Sequence, residues 1–102
     1  MNDIEVEKEI QDKELNFPRT TPDTIAATVI AEAYHTFPGT QLTVCCLTLT
    51  NGFTVTGESA CVSPENFDME LVQKLARSNA VDKIWLLEGY LLKQKLFNAI
   101  NS

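Results

Sequence analysis

Apolar positions along the chain fall into three blocks with different spacing. In the first, Ile25, Val29, Ile30, Ala33, Tyr34 and Phe37 recur every three or four positions, the period of one helix face. Thr20-Thr21-Pro22-Asp23 precedes them as a helix start, with a threonine cap, a proline in the first turn and an acid at the positive dipole end. Pro38-Gly39 is a stop. The spacing predicts a helix over about 22–36. The second block, Leu42 to Thr50, is rich in strand formers, and Phe53-Thr54-Val55-Thr56 returns from Asn51-Gly52, the residues of a two-residue type I′ turn. A β-hairpin is predicted over about 41–61. With that turn Thr48 faces Val55, Cys46 faces Gly57, Val44 faces Ser59 and Leu42 faces Cys61, all on one side with Phe53. Leu47, Leu49 and Cys45 then share the other side with Thr54, Thr56 and Glu58.

In the third block Ser63-Pro64-Glu65 repeats the start signal. Phe67, Leu71, Val72, Leu75 and Ala76 form a stripe that Val81, Ile84, Trp85, Leu87, Leu91, Leu92 and Leu96 continue. This predicts a helical tract over about 64–98, with a weak point at Ser78-Asn79. Gly89 costs about 1 kcal/mol against alanine in a helix interior, so it marks a kink, a break or a close contact. The first seventeen residues scatter Ile4, Val6, Ile10, Leu15 and Phe17 among charges and read as a semi-ordered acidic arm ending at Pro18.

The fold class is therefore α+β: one hairpin flanked by an N-terminal helix and a C-terminal helical tract, residues 18–102 forming a single small domain. Two strands leave two unpaired edges, and both faces of this hairpin carry apolar groups. Helices over one face and another subunit over the other satisfy both demands, so a homo-oligomer, dimer or tetramer, is expected.

At 102 residues, 44% hydrophobic and 22% charged, the chain is long enough for one core and too rich in apolar residues for a disordered protein. Its apolar runs, such as Ile84-Trp85-Leu86-Leu87, are far short of the roughly 20 residues of a membrane span. Met1-Asn2-Asp3-Ile4-Glu5 lacks the apolar stretch of a secretory signal, and the expectation is a protein with no membrane partner. Net charge is −6, and residues 1–17 contribute −4 of it through six acids against Lys8 and Lys13. That balance argues against duplex DNA as a partner, because such binding draws its energy from many cations. A small anion needs only two or three, and Lys74, Arg77, Lys83, Lys93 and Lys95 outnumber Asp82 and Glu88 in one local stretch.

Catalytic chemistry has little to build on. Cys45 and Cys46 point to opposite sides of a strand, Cys61 is distant, and the odd count suits reduced, packed thiols better than a metal site. The lone histidine, His35, falls in the last turn of the predicted helix, where it suits a capping role. Gly57-Glu58-Ser59-Ala60-Cys61 lacks the last glycine of a nucleophile elbow and sits within a hairpin strand. No phosphate loop, dinucleotide fingerprint or paired-histidine motif occurs. Catalytic residues, metal ligands and a cofactor are accordingly not expected. A binding module has better material: hydroxyls on Thr54, Thr56 and Ser59, amides at the helix start Ser63-Pro64, and the flat faces of Tyr34, Trp85 and Tyr90. Core packing is the commoner use of such aromatics, and Trp85 in particular reads as largely buried.

The run from Thr43 to Cys61, TVCCLTLTNGFTVTGESAC, resembles the hairpin of the phage gene-product-49/66 family of small tailed-phage proteins. So do Ser63-Pro64-Glu65-Asn66-Phe67-Asp68 and the stretch from Lys83 to Leu92. The similarity covers about two thirds of the chain, from the first predicted helix onward, and leaves out the acidic arm. Leu86 stands where many members carry proline, which favours a continuous helix there. The resemblance implies a non-structural accessory protein made in the cytoplasm of an infected bacterial host. A looser resemblance links such proteins to anti-CBASS sponges, oligomers that sequester cyclic oligonucleotide immune signals without degrading them.

On that reading a cyclic di- or trinucleotide lies between protomers. Thr54, Thr56 and Ser59 donate hydrogen bonds, Lys74, Arg77 and Lys83 meet phosphates, and Tyr34 or Tyr90 stacks a base. Two rivals remain. One is an accessory protein that binds and inhibits a host protein through its acidic arm or an exposed helix face. The other is a small nucleotide hydrolase with His35 or Glu58 as base.

Overall fold

The computed structural model describes residues 19–62, 65 and 68–101. The acidic arm and the start signal at Ser63-Pro64 lie outside the described residues. The order is α1 (Pro22–Thr28), β1 (Val29–Thr36), β2 (Thr43–Leu49), β3 (Thr54–Ser59) and α2 (Met69–Ile100). The strands form one antiparallel sheet in the order β1-β2-β3, and α2 lies across one of its faces. The α+β class and the long second helix follow the sequence expectation.

The first helix is shorter than its apolar spacing predicts. Thr21 caps it, accepting from the Thr24 amide at 3.1 Å, and Pro22 opens it as expected. It ends at Thr28, and the backbone turns extended at Val29 with φ −89° and ψ 123°. Residues 29–36 are a strand. Thr28, Val29 and Ile30 are β-branched, and the following residues alternate, with Glu32, Tyr34 and Thr36 toward α2 and Ala31, Ala33 and His35 away from it. Pairing with β2 decides between the two periods, because it gives the hairpin's open edge a full ladder of backbone partners. Pro38-Gly39 becomes part of the turn from β1 into β2, with Gly39 at φ 77° and the Phe37 amide donating to the Leu42 carbonyl at 3.1 Å.

The second difference is one residue of register. The hairpin loop is Thr50-Asn51-Gly52: the Leu49 amide donates to the Phe53 carbonyl at 2.8 Å, the Gly52 amide to the Leu49 carbonyl at 2.9 Å, and Gly52 takes φ 89°. Asn-Gly here serves a three-residue loop, in which glycine supplies the left-handed residue after a tight turn. Thr48 therefore faces Thr54 instead of Val55, Leu47 faces Val55, Cys45 faces Gly57 and Thr43 faces Ser59. A shift of one residue exchanges the faces of a strand. Here it gathers Thr43, Cys45, Leu47, Leu49, Val55 and Gly57 on the buried side. The outer side holds Val44, Cys46, Thr48, Thr54, Thr56 and Glu58.

The second helix opens at Asp68, whose carboxylate accepts from the Leu71 amide at 3.2 Å. It runs unbroken for 32 residues through Ser78-Asn79 and Gly89. At 1.5 Å per residue it measures about 48 Å and sets the long axis of a molecule 55 Å in extent. Its buried residues are Val72, Ala76, Ala80 and Ile84, one every fourth position. The two alanines sit where the helix crosses Gly57: a Cβ on that glycine meets the backbone of Ala76 and Ala80 and lies 2.8 Å from the Asn79 carbonyl carbon. So close an approach leaves room for one row of small side chains, and Leu71 and Leu75 of the expected stripe stay half exposed at 53% and 49%. Asn79, the supposed weak point, donates through Nδ2 to the Glu58 carbonyl at 2.8 Å and ties α2 to β3.

Leu47, Cys45, Ile84, Ala76 and Ala80 are fully buried and form the core with Ile25, Leu49 and Val55. Trp85 is half-buried against it, its indole Nε1 shielded and without a hydrogen-bond partner among the described residues. No helix among the described residues is long and apolar enough to cross a membrane.

Candidate functional site

Since α2 lies over a sheet of three strands, side chains on its two flanks reach toward opposite sheet edges. At the β1 edge, Arg77 Nε donates to Glu32 Oε2 at 3.0 Å, and the Tyr34 hydroxyl donates to the same oxygen at 2.9 Å. These bonds, the tyrosine's first and the arginine's second, hold the Glu32 carboxyl below its ordinary range. Burial and the bond to Glu32 push the Tyr34 phenol up, and burial likewise raises the thiol of Cys45. Glu32, which the sequence reading passed over, thus engages two of the expected ligand-binding residues.

At the β3 edge a shallow groove of about 360 Å³ is lined by Thr54, Thr56, Lys83, Phe53, Leu86 and Leu87. Lys83 makes no ion pair with another described residue. A second, mostly apolar groove of about 210 Å³ shares Phe53 and Leu87 with the first and adds Tyr90, Asn51 and Thr28. The two form one continuous trough along β3 and α2. Of the eight residues expected to bind ligand, Thr54, Thr56, Lys83 and Tyr90 line this trough. Tyr34 and Arg77 belong to the opposite edge of the sheet. Lys74 is bound to Glu70 at 3.4 Å on the first turns of α2. Ser59 closes β3 opposite Thr43, on the covered face.

The separation has a local cause. Thr54 and Thr56 border the groove from the sheet edge, but their side chains lie on the outer side of the sheet, while Lys83 rides on α2 over the inner side. Tyr34 and Arg77 meet only because residues 29–36 are a strand, which places Glu32 beneath α2. Phe53 is the lining residue that sequence reading missed as a site candidate. Its signal is its position after the Asn-Gly turn, where an aromatic is 56% exposed.

His35 lies on the outer face of β1 with its ring edge-on to Phe37 at 4.7 Å, and it caps no helix because that helix has ended before it. Cys45 is buried, Cys46 and Cys61 are half-buried, and no disulfide joins them.

Residues 20–96 match the model of the phage protein family typified by N4 Gp49 and phage Sf6 gene 66. The chain belongs to that family. The match runs from the cap of α1 to the last turns of α2 and takes in both walls of the trough. This gp49/66 family member is thereby a bacteriophage protein. No curated protein and no solved structure matches the chain.

Proposed function

We propose that this phage accessory protein binds a cyclic dinucleotide of bacterial anti-phage defence and sequesters it without cleavage. The observation that carries the reading is the trough. Lys83 meets a phosphate there, the edge of β3 at Thr54 and Thr56 borders it, and Phe53 and Tyr90 offer flat faces for a base. One protomer brings one lysine to a ligand with two phosphates, and the trough is open. A second protomer therefore completes the site, in keeping with a sponge that acts as an oligomer.

Calorimetric titration with a panel of cyclic di- and trinucleotides tests this, on a sample of known solution mass. The expected result is tight binding at no more than one ligand per chain, and chemically intact ligand recovered after heating the complex. Lys83→Ala is expected to weaken binding on the order of tenfold or more, the worth of a charge-assisted hydrogen bond. Absence of heat and of thermal shift across the panel overturns the reading.

A second reading, inhibition of a host protein, is favoured by the apolar groups along the end of α2, where Leu86 is 76% and Ile100 82% exposed. Deleting residues 1–17 tests the arm in that reading, and Ile100→Asp tests its exposed helix face. Loss of activity with ligand binding absent supports the host partner, whereas retained ligand binding supports the sponge.

A further inference from the structure

Beyond Ile84 the second helix loses most of its cover, and its exposed residues are large and apolar. Leu86 is 76% exposed, Tyr90 71%, Phe97 54% and Ile100 82%. With Lys83 and Lys93 these residues are spaced 3, 4, 3, 4 and 3 apart, the repeat of a seam that packs against a second helix. The seam with its flanking leucines exposes on the order of 800 Å², the area each partner contributes to a standard-size interface. Gly89 lies beside it, between Leu86 and Tyr90. A Cβ there meets nothing within 4 Å, and the helix runs straight through it. No packing among the described residues calls for this glycine, but a helix lying close against the seam does.

We infer that the occupant is a second copy of this chain, its α2 packed antiparallel on this one from Lys83 to Ile100. Charge selects the direction. Parallel pairing in register stacks Lys83 on Lys83 and Lys93 on Lys93 of the second copy. The antiparallel pairing that uses the whole seam sets Leu86 against Phe97, Tyr90 against Lys93 and Lys83 against Ile100. Each lysine then meets an apolar or aromatic neighbour, and Lys93 lies over a tyrosine ring. The helix dipoles also oppose favourably. The seam is isologous, so the assembly closes as a dimer. The dimer stands whether or not a nucleotide binds.

Sedimentation equilibrium of the full chain tests the association. The expected mass is twice the 11.4 kDa of one chain. Phe97→Asp and Ile100→Asp, both at exposed positions, are each expected to give a monomer with unchanged circular dichroism. Orientation is read by cross-linking in a Cys46→Ala, Cys61→Ala background. Leu86→Cys with Phe97→Cys is expected to form covalent dimers under mild oxidation, and Leu86→Cys alone is not, since antiparallel copies hold those two sites about 16 Å apart along the axis. A monomeric wild type, or a dimer indifferent to both aspartates, overturns the seam. Covalent dimers from Leu86→Cys alone overturn the antiparallel direction. An unchanged dimer mass together with absent nucleotide binding removes the sponge and leaves the dimer standing.

Discussion

The two halves of α2 share one backbone and opposite surroundings. From Met69 to Ile84 the helix buries a single row of mostly small side chains so closely on the sheet that Gly57 has no room for a methyl group. From Trp85 to Ile100 the side chains grow larger and the cover thins, until Ile100 is 82% exposed. Both halves are apolar enough to look alike as sequence. What separates them is size: small residues mark where the chain packs on itself, and large ones mark where it still lacks a neighbour.

The sharpest way to break this contrast is at its tightest point. Gly57→Ala drives a methyl into the α2 backbone and is expected to cost about 3 kcal/mol or unfold the chain, read by denaturant titration. A comparable loss, about 3 kcal/mol, is expected for Ile84→Ala, which empties a fully buried site. Two residues on, at Leu86, the same truncation is expected to change monomer stability by less than about 0.5 kcal/mol. Equal losses at 84 and 86 erase the contrast. Gly89→Ala, measured at dilution, is expected to stabilise the monomer by up to about 1 kcal/mol, because its methyl enters open space and improves helix propensity. At higher concentration the same change is expected to weaken the dimer.

The smallest effect concerns the ties of the first half to β1. Glu32 has a lowered pKa in the fold, so it stabilises above its ordinary value of 4.5 and that contribution disappears as pH falls through the folded pKa. The gap in melting temperature between wild type and Glu32→Gln is expected to be present at pH 7 and to close toward pH 3. A gap independent of pH removes Glu32 from the network.

The class of the fold was legible because turn chemistry and helix starts are local: Thr21-Pro22, Asn51-Gly52 and the alternation through β2 needed no tertiary information. Residues 29–36 were not. Ile30, Ala33, Tyr34 and Phe37 fit a helix, and Glu32, Tyr34 and Thr36 fit a strand. The choice lies with β2, whose edge needs a partner. The hairpin register turned on whether the loop held two or three residues, and Asn-Gly suits both. Its consequence is chemical, since it turns Thr54 and Thr56 to the outer side of the sheet and takes Val55 into the core. The β3 border of the trough was legible for the same reason, since Thr54 and Thr56 follow directly on the turn. That Tyr34 and Arg77 lie elsewhere was not, because Glu32 claims them only once β1 exists.

Asn79 reaches from α2 to a carbonyl of β3, the outermost strand on that side. A strand edge with open carbonyls is a template on which an incoming chain can add itself, copy upon copy. One side-chain amide laid across that edge occupies an acceptor such a visitor needs and sets the bulk of α2 beside it. By blunting the edge, Asn79 makes it a poorer template for a strand of a second copy.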